Sequence, residues 1–197
     1  MRIKEFYMKN RILFLLADGF EETECVVPFD ILARGGCEVT LAGIHGDVFV
    51  EGAHGLTVKA DVLLSEAEPS DFDGVFLPGG GRGVENLGAS EAVLDMVRNF
   101  YGAEKWVFSI CAGPLVLARA GILRDKRVTS YPSTKADLLP HCASYSESRV
   151  VVDGKLVTGR GPGSAEEFGF ALLELLEGKE KAEEVRAGML SRNPRNV

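Results

Sequence analysis

Residues 109–114 read Ser-Ile-Cys-Ala-Gly-Pro, and they put a thiol where a strand should stop and a helix begin. Cys111 follows the apolar run WVFSI (106–110) and precedes two small residues and a proline. That order suits a nucleophile elbow, in which a sharp turn exposes the side chain and aims backbone N–H groups at the reacting oxygen. Ala112 and Gly113 keep the turn uncrowded, and Pro114 fits a first helical turn. The positive end of a following helix is expected to draw the thiol pKa below the free value of about 8.5. The other cysteines have blander settings: Cys25 lies in a helical pattern, Cys37 opens a strand and Cys142 sits in a loop. For these a structural role is expected, the usual fate of a buried cysteine.

Two further segments carry unusual residues. PGGG (78–81) follows the apolar run VFL. Glycines there let the backbone turn sharply and present N–H groups to an anion or oxyanion. GGGRG is a weak match to a dinucleotide fingerprint, since it lacks the first-strand context and no helical pattern follows directly in register. ADGFEETE (17–24) places Glu21, Glu22 and Glu24 at the start of a helix. The helix dipole accounts for one or two such acids. A third that faces Cys111 and is kept protonated by burial could donate a hydrogen bond to a thiolate, or act as general acid and base.

The pattern around these segments tells how they are positioned. RILFLLA (11–17), CEVTLAGI (37–44), GVFL (74–77) and KWVFSI (105–110) read as short buried strands. Helical spacing runs through residues 22–34, closed by Gly35-Gly36, and Pro28 should kink that helix or lie near its start. Residues 90–101 form an amphipathic helix with Ser90 as its cap, and residues 113–123 another helix. Residues 46–70 read as a loop-rich excursion. RVTSYP (127–132) reads as a short strand, and residues 149–159 as a hairpin turning at Asp153-Gly154 in type I′. Helices at 164–178 and 179–190 close the chain. Strand–helix alternation with apolar strands implies a mostly parallel sheet with helices on both faces. In such a sheet ligands bind beyond the carboxyl ends of the strands, where the three unusual segments converge.

Composition bounds the rest. The chain has 197 residues, 46% of them hydrophobic, and a net charge of −7. One domain is expected, over residues 11–190, with an N-terminal extension (1–10), Met8 as an alternative start, and a C-terminal tail (191–197). The acidic balance argues against nucleic acid or an anionic membrane as partner. The apolar run ILFLLA has six residues and stops at Asp18-Gly19, too short for a membrane span or a signal peptide core. Four scattered cysteines and three histidines match neither a zinc site nor a disulfide framework, so no metal and a reducing cytoplasm are expected.

Together, ADGFEETECVVPFDILARGGCEVTLAG, VFLPGGGRGVENL, SICAGPLVLARAGIL, SYSESRVVVDGKLVTGRGPGSAEEF and LLEGKEKAEEVRAGML resemble the DJ-1/ThiJ/PfpI family, most closely its DJ-1-like branch. The likeness runs from about Arg11 to Leu190. It implies a flavodoxin-like α/β sandwich, similar to class I glutamine amidotransferases, and a cytoplasmic homodimer without a cofactor. It implies that Cys111 is the reactive, oxidation-prone cysteine and that Glu24 is the carboxyl group bonded to it. Gly80 and Ala112 match the backbone donors around that thiol. The activities implied are glyoxalase or deglycase chemistry on methylglyoxal and related dicarbonyls. The alternative is a redox sensor or chaperone whose cysteine is oxidised to sulfinic acid. Older usage adds thiamine biosynthesis and protease-like activity, but an amidotransferase or peptidase wants a histidine directly after the cysteine, where Ala112 stands.

One position departs from the family. Its DJ-1-like branch has a histidine where this chain has Tyr131, in VTSYP. An unperturbed tyrosine, with a pKa of about 10, does not shuttle protons near neutrality as histidine does. Tyr131 is expected to point its hydroxyl into the Cys111 pocket as a neutral donor, leaving Glu24 as the acid/base group. Glu24 is expected to be buried within reach of the sulfur, with Glu21 and Glu22 more exposed. Mild iodoacetamide followed by peptide mapping should label Cys111 first; preferential labelling of Cys25 or Cys37 would overturn its assignment as the reactive thiol.

Overall fold

The computed structural model describes residues 9–191. In chain order the elements are β1 (Arg11–Leu16), α1 (Glu22–Arg34), β2 (Glu38–Gly43), β3 (Phe49–Glu51), β4 (Thr57–Lys59), β5 (Val62–Leu63), β6 (Gly74–Leu77), α2 (Gly81–Ala89), α3 (Glu91–Gly102) and β7 (Trp106–Ile110). There follow α4 (Pro114–Arg119), β8 (Arg127–Val128), α5 (Lys135–Leu138), β9 (Ser144–Tyr145), β10 (Val150–Asp153), β11 (Leu156–Gly159), α6 (Ala165–Glu177) and α7 (Lys179–Gly188).

Seven strands make one sheet in the order β10-β11-β7-β6-β1-β2-β5. All its pairings are parallel except the β10–β11 hairpin. The fold is a flavodoxin-like α/β sandwich. Every residue of β1 after Arg11 is buried, because the strand runs mid-sheet between β6 and β2. Alternation divides it between two cores. Leu13 and Leu15 join Val75, Leu77 and Val107 under α2, α3 and α4. Ile12, Phe14 and Leu16 join Phe76, Phe108 and Ile110 under α1, α6 and α7. Parallel strands need this double cover, and it explains their near-continuous apolar sequence.

Because β1, β6 and β7 run parallel, their carboxyl ends share one edge of the sheet. The acid-rich turn after Leu16, the glycines after Leu77 and Cys111 after Ile110 therefore meet there. Crossovers return α1, α2 and α4 over opposite faces, so the edge stays a crevice open to ligand.

The structure departs from the sequence expectations at several points. Helix α2 begins at Gly81, the last residue of the glycine run, where no helical pattern is expected; its first turn holds Gly81 and Gly83, residues with little helical preference. The β10–β11 pairing puts Asp153 opposite Leu156, so the two-residue turn is Gly154-Lys155. Gly154 has φ +63° and Lys155 does not share the positive φ that a type I′ turn requires at both positions, so the expected turn is displaced by one residue and is not type I′. The strand expected at 127–132 is two residues long and pairs with β9 outside the main sheet. Pro28 falls in the middle of α1. Ser90 does cap α3, its hydroxyl accepting from the Val93 N–H. The excursion at 46–70 holds the antiparallel β3–β4 pair and the edge strand β5. Of the proposed extension and tail, Lys9, Asn10 and Ser191 are described and the rest, Met8 included, lies outside the described residues. Among the described residues no helix is long and apolar enough to cross a membrane.

The core under α1 and α6 turns on aromatic packing. Phe76 stacks on Phe14 at 4.0 Å between ring centroids and lies 5.9 Å from Phe168. All three are fully buried. Phe76→Ala is expected to cost about 3–5 kcal/mol, the range for a core phenylalanine truncation, lowering the urea midpoint with the slope unchanged; a loss below 1 kcal/mol would mean that this stack does not organise the core.

Candidate active site

Cys111 has φ +63°, in the left-handed region that a residue with a side chain rarely enters. Such a conformation costs on the order of 1–3 kcal/mol and persists only where the surroundings fix it. Here the fixing is visible. The Cys111 N–H donates to the Gly159 carbonyl at 2.9 Å, and the Cys111 carbonyl accepts from the Tyr131 N–H at 2.8 Å. Gly113 makes the tight approach possible, since a Cβ there would lie 2.9 Å from both the Ile110 and Leu77 carbonyl oxygens. The elbow is therefore clamped from β11 on one side and from the segment after β8 on the other.

Glu24 reaches the thiol from α1. Glu21 is the N-cap, its carboxylate accepting from the Glu24 N–H at 2.7 Å. That cap sets the first turn so that Glu24 points inward, and Glu24 is completely buried whereas Glu21 and Glu22 are partly exposed. Oε2 accepts from the Gly79 N–H at 2.8 Å. Oε1 is buried with no hydrogen-bond partner among the described residues. Acid and thiol meet over Gly79: a Cβ built there would lie 2.5 Å from Oε2 and 3.0 Å from the Cys111 sulfur. Gly79 has no positive φ; it is a glycine because two functional side chains occupy the space a Cβ would need. Gly80, at φ +94°, is pressed against the backbone of residues 19–21, and its N–H and that of Ala112 draw the proton affinity of the Cys111 sulfur down. The structure thus brings together Cys111, Glu24, Gly80 and Ala112, and adds Gly79, which the sequence offers only as one of four consecutive turn residues.

The sequence model of the DJ-1/PfpI family matches residues 10–175. The chain belongs to the DJ-1/PfpI family. It is 39% identical over 183 residues to the dj-1beta protein of Drosophila melanogaster, covering 93% of this chain and 98% of that one. The crystal structure of that DJ-1beta superposes with a TM-score of 0.90 over 94% of this chain and all of that chain, at 40% identity. A deglycase of Pyrococcus abyssi is 39% identical over 78% of this chain and 91% of its own length. The structure of oxidised DJ-1 from Toxoplasma gondii matches with a TM-score of 0.88 at 34% identity, over 93% of this chain and all of that one.

Burial governs the electrostatics of the site in this DJ-1/PfpI protein. The Glu24 carboxyl is pushed up to about 7, first by burial, with the Glu21 charge adding to it; the hydrogen bonds with Cys111 and Gly79 pull the other way. Burial and the adjacent Glu24 push the Cys111 thiol up as well, against the pull of the Ala112 and Gly80 N–H groups. The expected lowering by the helix is therefore overturned. Cys111 is only 8% exposed, α4 has six residues, and the Glu24 carboxyl group stands beside the thiol. Acid and thiol titrate as a pair. Both are pushed up, so through neutrality the thiol keeps its proton while Glu24 gains or loses its own, and a thiolate exists only in the form in which Glu24 holds a proton and the sulfur does not. Burial also pushes Cys25 and Cys37 up to about 12, helped at Cys37 by the Glu177 carboxylate and at Cys25 by Glu21.

Tyr131 touches Cys111 through its backbone. Its ring is 46% exposed, packs on Gly161 and lines a surface cavity of about 230 Å³ with Arg149, Arg160 and residues 161–164. Its hydroxyl, expected in the Cys111 pocket, forms no hydrogen bond among the described residues. Sequence reasoning also passed over His54, whose Nδ1 meets Glu22 Oε2 at 2.7 Å. Glu21, Glu22 and His54 bring ligand atoms within 4.8 Å of one another, but Glu21 is engaged as the cap and Glu22 in the ion pair.

The raised Glu24 pKa makes stability depend on pH. Between 4.5 and about 7 the folded state binds a proton that the unfolded chain releases, so this contribution is full below 4.5 and lost as pH rises through 7. Relative to Glu24→Gln, which cannot titrate, the wild type should lose about 3 kcal/mol of stability between pH 4.5 and 8. Urea midpoints of both proteins across that range test this, and a constant gap would show that Glu24 titrates normally.

Proposed function

We propose that this is a cytoplasmic, homodimeric stress-response protein that uses Cys111 to convert methylglyoxal and related dicarbonyls without a cofactor, as a glyoxalase or deglycase. One observation carries the reading: a strained, clamped thiol stands against a fully buried carboxyl group whose proton affinity is raised, with the Gly80 and Ala112 N–H groups drawing the thiol's proton affinity down. The deglycase name of the Pyrococcus relative supports it. The thiolate adds to the aldehyde carbon, and Glu24 delivers the proton to the new alkoxide, beside the Gly80 and Ala112 N–H groups. As carboxylate, Glu24 then takes the hydrogen from that carbon as a proton and returns it to the neighbouring one, while the hydroxyl proton passes from the first oxygen to the neighbouring oxygen through the enediol. The product is a lactate thioester of Cys111. Water cleaves it to lactate and free thiol, so the net change is methylglyoxal plus water to lactic acid.

The second reading is a redox sensor, favoured by the proton that a neutral Glu24 can donate to an oxidised sulfur, and by the oxidised Toxoplasma relative. Thiolate takes an oxygen from peroxide with release of water, and a second peroxide gives the sulfinic acid.

Purified protein in thiol-free buffer decides between them. Cys111→Ser should abolish methylglyoxal turnover, and Glu24→Gln should lower kcat by about 10²–10⁴-fold, the usual contribution of a positioned acid/base group. Tyr131→His should raise turnover, by restoring a group that titrates near neutrality. Wild-type turnover equal to that of Cys111→Ser, with two oxygens gained at Cys111 in peroxide, would reject the enzymatic reading.

A further inference from the structure

Buried polar side chains are not scattered through this fold. Apart from Glu24, those among the described residues are Ser109, Thr129, Ser130, Thr134, Thr158 and Ser164, hydroxyls without exception. All but Ser164 lie on β7, on β11 or in the segment 129–134, the pieces of chain that carry and clamp Cys111. A buried hydroxyl costs stability unless it is bonded. Ser109 has no partner among the described residues, and the other four on these segments are bonded.

Their bonds converge on one peptide group. The Ser130 carbonyl and the Tyr131 N–H lie in the same rigid plane. The N–H donates to the Cys111 carbonyl at 2.8 Å, and the carbonyl accepts from the Tyr145 hydroxyl at 3.0 Å. Tyr145 spends its one proton there, so it accepts from Ser130 Oγ at 3.1 Å, which in turn accepts from Thr134 Oγ1 at 2.8 Å. The Tyr131 carbonyl is held as well, by the Thr134 N–H at 3.0 Å. A peptide bonded at both ends is polarised, which strengthens each bond. Tyr145 is itself fixed by β9: it pairs with Val128, whose carbonyl accepts from the Ser146 N–H at 2.8 Å. The two clamps on Cys111 are also joined to each other. The Thr129 N–H donates to Thr158 Oγ1 at 2.9 Å, and Thr158 directly precedes Gly159.

We propose that Tyr145 is a positioning residue for Cys111: its hydroxyl fixes the 130–131 peptide, which holds the Cys111 carbonyl and keeps the thiol in its left-handed pose. The inference rests on reading Cys111 as the nucleophile, and it assigns Tyr145 no part in the bond-making itself. Without the hydroxyl the peptide is free to turn and Cys111 relaxes from its strained conformation. The Gly80 and Ala112 N–H groups then lose their pull on the sulfur.

Alkylation by iodoacetamide, followed by peptide mass at each cysteine across neutral and alkaline pH, tests this without any turnover. Tyr145→Phe keeps the ring and removes the hydroxyl. It is expected to slow Cys111 about threefold to tenfold, the scale of one hydrogen bond, and to displace its rate profile to higher pH. Labelling of Cys25 and Cys37 should stay at the wild-type level. A merely structural loss would act in the opposite sense, since a loosened core exposes all three thiols and speeds their labelling. Thr134→Val should slow Cys111 in the same way and Thr134→Ser, which keeps the hydroxyl, should restore it. This pair also decides the matter if Tyr145→Phe does not fold. Tyr101→Phe, at an exposed tyrosine of α3, should leave every rate near wild type. An unchanged or faster Cys111 in Tyr145→Phe, an equal fall in Tyr101→Phe, or identical rates in Thr134→Val and wild type would overturn the assignment. If Cys111 slows in Tyr145→Phe while the wild type does not consume methylglyoxal, the positioning role stands and the dicarbonyl reading fails. If turnover depends on Cys111 but neither turnover nor alkylation responds to Tyr145→Phe, the positioning role fails and the dicarbonyl reading stands.

Discussion

Everything at the site depends on a carboxyl group and a thiol being forced to share a dry space. A lone buried carboxylate is costly, and Glu24 lowers that cost by holding a proton that it would release in water. The same proton is what a thiolate needs from a neighbour. Stability and chemistry therefore pull in opposite directions at one residue. A hydrophobic or amide side chain would suit the fold better at neutral pH.

The surroundings enforce that sharing. The Glu21 cap fixes the first turn of α1, the missing side chain of Gly79 lets the two groups close up, and the backbone clamps hold Cys111 in its left-handed conformation. None of these contacts is strong alone. What makes them rigid is the sheet beneath, whose parallel register brings β1, β6 and β7 to one edge. The site is thus built of turns, and its precision comes from buried strands.

Much of this was legible in the sequence because it rests on local rules. Apolar strands alternating with helices give a doubly covered parallel sheet, and a cysteine between WVFSI and AGP marks an elbow. Glu24 could be singled out from Glu21 and Glu22 only through the family resemblance, since three acids in one helical turn differ by the direction each faces, which is a property of the cap and the sheet. The thiol's proton affinity was misjudged for a related reason. A helix dipole can be read from sequence, but burial and a carboxyl group arriving from an element 87 residues away cannot. The onset of α2 at Gly81 was hidden because tertiary packing, not the helical preference of Gly81 and Gly83, sets it. Arg149 and Arg160 drew no notice, being two surface arginines until a turn folds them beside Tyr131.

The clamp on Cys111 also has a meaning in time. During synthesis the chain emerges from its amino end, so Glu24, the glycine run and Cys111 are all available while residues beyond 150 are still being added. At that stage β7 has β6 on one side and nothing on the other, and the Cys111 N–H has no acceptor. Only when β11 docks against β7 does the Gly159 carbonyl arrive. Cys111 is thus locked into its pose by one of the last strands made, and a half-made chain carries these residues without the constraint that holds them.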